Sequence, residues 1–155
     1  MVKPYTRCMD TLVICIGNKA RGDDGAARRT AELLEGRLPD NTKLTSRPQL
    51  DIVMTDDLNR SGLVVFVDAE RRDAPGVRID ALAYSTDSGS APDAHALTPM
   101  GLLSLTAALY GDAPPAHLVS IAAPQMPHAE GLSDTAKTAS EEAVFAVIKL
   151  LGDSQ

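Results

Sequence analysis

The chain has 155 residues, 44% of them hydrophobic and 23% charged, with a formal net charge of −6 and a sequence pI near 4.9. That length suits one domain with a real core, taking about 100 to 200 residues per domain. The acidic balance and an aromatic fraction of only 3% leave neither a basic footprint nor stacking platforms for nucleic acid, which is therefore not expected as a partner.

Cys8 and Cys15 are the whole cysteine complement. One stands near the terminus and the other inside the first apolar run, so a disulfide framework is not expected and a reducing, cytoplasmic setting is. Lys3 and Arg7 precede Leu12 to Ile16, but this stretch is too short for a signal-peptide core and a glycine-rich turn follows it. No run approaches the ~18 apolar residues of a membrane span. The expectation is a cytoplasmic protein with no membrane contact.

In chain order, Thr11 to Ile16 reads as a strand, Gly17 to Gly25 as a glycine-rich turn, and Ala26 to Leu34 as a helix stopping near Pro39-Asp40-Asn41. A short strand around Thr42 to Thr45 follows. Pro48 to Leu58 places Leu50, Val53, Met54 and Leu58 at helical spacing, ended by Asn59 to Gly62. Gly62 to Val67 is a continuous apolar run of the kind buried on both faces of a parallel sheet, and it ends in Asp68. Gly76 to Tyr84 alternates apolar and polar residues as a half-exposed edge strand does. Ser85 to Asp93 reads as a loop, with His95 just beyond it.

Thr98 is suited to cap a helix with Pro99 at its first position, and the helix runs to Tyr110 before Gly111. Leu118 to Ala123 is a last strand, and Ser133 opens a long final helix. The order βαβαββαβα predicts a single α/β domain over residues 1–155. It is a three-layer α/β/α sandwich with a mostly parallel, twisted sheet of about five strands, phosphorylase/hydrolase-like in outline.

In such sheets ligands bind beyond the carboxyl ends of the strands, where the strand order reverses. Asp24 in the first turn and Asp68 after the third strand come from different loops that this rule brings together, with His95 before the next helix. Two carboxylates and an imidazole suit divalent metals such as nickel or zinc, and three protein ligands leave positions open for a substrate. Neither GxSxG nor HExxH is present, so covalent catalysis through serine and a resident zincin site find no support.

Each residue also has a structural reading. Asp23 or Asp24 would cap the first helix, with Asp23 the better choice for a structural carboxylate. Asp68 would bond loop amides, and His95 would be a loop histidine. Asn18 either holds the loop that presents Asp24 or binds substrate backbone. His117 and His128 are weaker candidates. Arg71, Arg72 and Asp73 read as a solvated run.

Taken together in order and spacing, certain segments resemble the hydrogenase maturation proteases, endopeptidases that trim the C-terminus of a nickel-iron hydrogenase large subunit. They are Gly17-Asn18 with Arg21 to Gly25, Val65 to Ala69, His95 with Leu97-Thr98-Pro99, Leu109-Tyr110-Gly111 and Gly131-Leu132-Ser133. The resemblance implies that Asp24, Asp68 and His95 bind the nickel and carry catalysis, with Asn18 and Asp23 beside the substrate. It implies that the nickel is supplied by the substrate, with zinc or cadmium able to take its place in vitro, and that no organic cofactor is needed. The implied partner is the nickel-loaded large-subunit precursor.

Three other readings compete with this one. A non-proteolytic checkpoint protein would use the same ligands. A phosphoacceptor receiver domain places its acidic pair directly at a strand end and needs a lysine after its last strand, and neither condition is met. A nucleotide-binding module would need GxGxxG or a P-loop, which Gly17, Gly22 and Gly25 do not form.

Overall fold

A computed structural model describes residues 10–84, 97–125 and 131–153 of the chain. β1 (Thr11–Ile16), β2 (Thr42–Arg47), β3 (Leu63–Glu70), β4 (Val77–Leu82) and β5 (Ala116–Ala122) form one sheet in the order β2-β1-β3-β5-β4. All neighbours are parallel except β4, which runs antiparallel to β5 at the far edge.

The helices are α1 (Ala26–Leu34), α2 (Thr55–Arg60), α3 (Pro99–Tyr110) and α4 (Asp134–Asp153). Val13 and Cys15 of β1 with Val65 and Val67 of β3 meet α1 and α4 on one face. Leu12, Ile14, Val64 and Phe66 meet α2 and α3 on the other. Alternate side chains of the same strands thus feed two cores, which is why β1 and β3 read as unbroken apolar runs. The expected three-layer α/β/α sandwich is what forms.

Several boundaries differ from the expectation, each for a reason of pairing or capping. β3 does not stop before Asp68 but continues to Glu70, because β5 goes on pairing with it as far as Glu70 opposite Ala122. The helix expected over Pro48 to Leu58 begins later. Asp51 accepts a hydrogen bond from Val53 N (3.1 Å) and starts a 3-10 turn at Ile52–Met54 that runs into α2. Leu50, Met54 and Leu58 are buried as the spacing implied, whereas Val53 is 73% exposed.

α3 is bounded as the sequence indicated. Thr98 Oγ1 accepts from Gly101 N (3.0 Å), and Gly111 closes the helix with φ of 86°. The final helix starts at Asp134, with Ser133 Oγ accepting from Ala136 N (3.1 Å) as its cap. Among the described residues no helix is long and apolar enough to cross a membrane.

Candidate functional site

β1 lies between β2 and β3, so the chain leaves β1 toward one edge and later returns to its other side. The crevice beyond the carboxyl ends of β1 and β3 is the point where the strand order reverses. Ile16, the last residue of β1, is paired with Asp68. The β1–β3 register ends at this pair, so the flank of Asp68 that faces β1 is the last paired position there. This is how a carboxylate inside a strand still opens on the crevice.

The turn after β1 is a built object. Asn18 Oδ1 accepts from Ala20 N (3.0 Å) and Asn18 O accepts from Arg21 N (3.1 Å), which winds Lys19–Gly25 into a 3-10 helix. That helix breaks at Gly22, whose φ of 59° and ψ of −126° suit glycine. A Cβ at Gly17 would stand 2.0 Å from the carbonyl oxygen of Asp24, so the loop folds back directly onto the Gly17 backbone. Asn18 N then donates to Asp24 Oδ2 (3.1 Å). Asn18 therefore takes the first of its two expected roles, holding the loop that presents Asp24.

Asp23 and Asp24 are adjacent and have opposite environments. Asp23 is fully buried. It accepts from Gln125 N (2.8 Å), Ser133 N (2.7 Å) and Ser133 Oγ (2.8 Å), tying the first loop to the connection between β5 and α4. The resemblance sets Asp23 with Asn18 beside the substrate. Its burial and occupied oxygens correct that, and its other expected role, the structural carboxylate, is the one it fills. Asp24 is only half-buried and keeps accepting capacity on its carboxylate.

Asp68 is half-buried. Burial pushes its carboxyl from 3.8 up to about 7, against the opposing pull of the Ala69 backbone N–H, and the negative charge of Asp24 adds to the rise. The Asp24 charge is the smaller influence, so Asp24 and Asp68 lie within electrostatic reach of each other at this end of the sheet. A divalent cation placed between two such carboxylates would relieve their repulsion.

His95, the third expected ligand, lies outside the described residues, as does His128. His117 sits within β5 rather than before it, paired with Val65 and Ala81 three positions from the Ser120 that flanks Asp68. It is not part of the crevice. Cys15 is buried in the core and its thiol is pushed up to about 12, which removes it as a nucleophile.

Arg72 is not the solvated residue its neighbours suggested. It is half-buried and donates to Gly76 O (2.8 Å) and Ser120 O (3.3 Å), and it pairs with Glu70. The sequence offered no signal for this, since the contact depends on a strand that returns 48 residues later.

No family model matches the chain, and no curated protein matches it. Solved structures do. The hydrogenase 2 maturation peptidase from Thaumarchaeota archaeon SCGC_AB-539-E09 aligns with a TM-score of 0.66 at 21% identity, over 92% of this chain and 98% of that one. The [NiFe] hydrogenase maturation protease HycI from Thermococcus kodakarensis KOD1 gives 0.68 at 20% identity over 93% of both. The hydrogenase maturating endopeptidase HybD from E. coli gives 0.75 at 23% identity over 94% of both. Over almost its whole length, then, this chain has the fold of the hydrogenase maturation endopeptidases.

Proposed function

We propose that this chain is a hydrogenase maturation endopeptidase. It recognises the nickel-loaded precursor of a nickel-iron hydrogenase large subunit in the cytoplasm and removes the precursor's C-terminal extension. One observation carries the reading: the carboxylates of Asp24, on the loop after β1, and of Asp68, within β3, stand at the switch point, where burial raises the Asp68 pKa and the Asp24 charge adds to the rise.

The chemistry of the donor set supports a metal-bearing substrate. Two carboxylates held together at a cost in repulsion favour a divalent cation, and His95 adds an imidazole donor in sequence order before α3. Nickel comes with the substrate, so the residues that meet it read the state of the precursor and position the scissile peptide in the same contact. The metal supplies a Lewis acid to polarise a carbonyl or lower the pKa of a water. Asp24 and Asp68 orient the group, and an ionised carboxylate beside it accepts a proton from the attacking water. Asn18 keeps Asp24 in place through its backbone N–H.

Incubation of the purified chain with nickel-loaded and nickel-free precursors of its host's large subunit, followed by mass spectrometry, tests this. Release of a defined C-terminal peptide from the loaded form alone is the expected result. Tight binding of the loaded form with no peptide released would replace the protease with a checkpoint protein.

A further inference from the structure

Among the described residues β2 is an edge strand, paired only with β1. Thr11 N donates to Asn41 O (3.0 Å) and Gly17 N to Arg47 O (2.9 Å), so the backbone groups of residues 41, 43, 45 and 47 turn inward. Those of Thr42, Leu44 and Ser46 turn outward, because successive residues of a strand alternate. Thr42 N is occupied by Pro39 O (3.0 Å). Among the described residues nothing pairs with the N–H of Leu44 or Ser46, or with the three outward carbonyls. The register with β1 is regular throughout, so neither a bulge nor a proline blunts this edge.

Beside the edge lies a cleft of about 470 Å³, formed where the end of α1 overhangs β2. Ala31, Leu34, Leu38 and Leu44 give it an apolar floor, and the exposed Glu35 and Asp40 stand at its rim. Neither carboxylate has a cationic partner among the described residues. A free backbone edge with a side-chain pocket beneath it is the arrangement that captures an extended peptide as an added strand.

We propose that this edge receives the C-terminal extension of the precursor as a sixth strand, antiparallel to β2. This rests on the protease reading above, and the geometry connects the two. Arg47 at the carboxyl end of β2 is level with Ile16, and Ile16 with Asp68. With strands ~4.8 Å apart, an added strand lies roughly 10 to 15 Å from the crevice, which four or five extended residues span at ~3.3 Å each. The extension is the part of the precursor free of its folded body, so it runs from the crevice back along β2 toward the cleft. An apolar side chain then fills the pocket, and a basic one meets Glu35 and Asp40 roughly ten residues beyond the cut.

The test compares wild-type chain with Ser46→Pro and Glu35→Lys in cleavage of the nickel-loaded precursor. It is joined to amide hydrogen exchange of the wild type with and without that precursor. Proline at position 46 removes an outward N–H that the sheet does not use, so the fold should survive it. Expected are a KM raised about tenfold in Ser46→Pro and about threefold in Glu35→Lys, with kcat little changed, and slowed exchange at Leu44 and Ser46 on binding. Cleavage by the wild type with no protection at these amides overturns the docking edge and leaves the protease standing. Neither binding nor cleavage by the wild type overturns both. Concentration-dependent dimerisation that Ser46→Pro abolishes would assign the edge to a second copy of the chain instead. Should Ser46→Pro unfold, the exchange measurement decides alone.

Discussion

The Asp23 staple and the Asp24–Asp68 crevice lie at the same end of the sheet and use the same side chain for opposite ends. Asp23 is sealed and spends both oxygens on Gln125 and Ser133. Asp68 is half-open, has the N–H of Ala69 beside it, and is pushed up to about 7. A carboxylate whose bonds are complete fixes the frame and has nothing left to offer a ligand. One whose charge is poorly compensated has affinity in reserve for a cation or a proton. The difference separates a structural carboxylate from a candidate functional one without reference to any relative.

Three substitutions would break that contrast if it were wrong. On the protease reading proposed above, Asp24→Asn, Asp68→Asn and His95→Ala should each lower precursor processing by about 10² to 10⁴-fold, since each removes a charge or a donor from the proposed metal-meeting set. Circular dichroism melts of all three should remain cooperative. Loss of fold in Asp24→Asn would place Asp24 with Asp23 in the frame.

Asp23→Ala should do the reverse. It leaves the N–H groups of Gln125 and Ser133 facing a buried gap, at a cost of about 3 kcal/mol. For a chain of this size that corresponds to a fall in Tm of roughly 6 to 12 °C. Processing measured well below the new Tm should persist. Gly17→Ala falls between the two classes. Its Cβ would meet a backbone oxygen rather than a flexible side chain, so the loop carrying Asp24 must shift. A stability loss of about 1 to 3 kcal/mol is expected together with reduced processing, read from urea titration and the cleavage assay on one preparation.

Much of this was legible in the sequence, for identifiable reasons. The apolar runs of β1 and β3 and the Thr98-Pro99 start and Gly111 stop of α3 are local signals, and the structure repeats them nearly residue for residue. The expectation that Asp24 and Asp68 lie at the same end of the sheet followed from a topological rule, and both do lie beyond or near the carboxyl ends of β1 and β3. What could not be read depends on partners distant in sequence. β3 runs past Asp68 because β5 pairs there, Arg72 is held by Ser120, and Asp23 is occupied by Ser133, 110 residues away. The outward edge of β2 was hidden as well, because the polarity of Thr42 to Arg47 does not distinguish an edge from a loop until the strand order is known.

The smallest expected effect sharpens the comparison most, because its sign is unusual for a carboxylate. Asp68 holds its proton more tightly in the folded chain than at its ordinary value of 3.8. Below about pH 4 both folded and unfolded chains are protonated there, and the residue has no pH-linked effect. Between about pH 4 and 7 the unfolded chain releases the proton while the folded chain keeps it, so rising pH lowers stability. Above about 7 both are ionised and the loss is complete. Asp68→Asn, although defective in processing, should therefore be more stable than wild type at pH 8 by roughly 1 to 2 kcal/mol once solvent screening of a half-buried group is allowed for. The gain should shrink to nothing at pH 4. Burial is the larger cause and the Asp24 charge the smaller, so Asp24→Asn should shift the window to lower pH without closing it. Urea titrations of the three chains at pH 4, 5.5 and 8 read this directly. An equal gain at every pH would mean that asparagine merely packs better, whereas no gain at pH 8 would mean that Asp68 is as fully satisfied as Asp23.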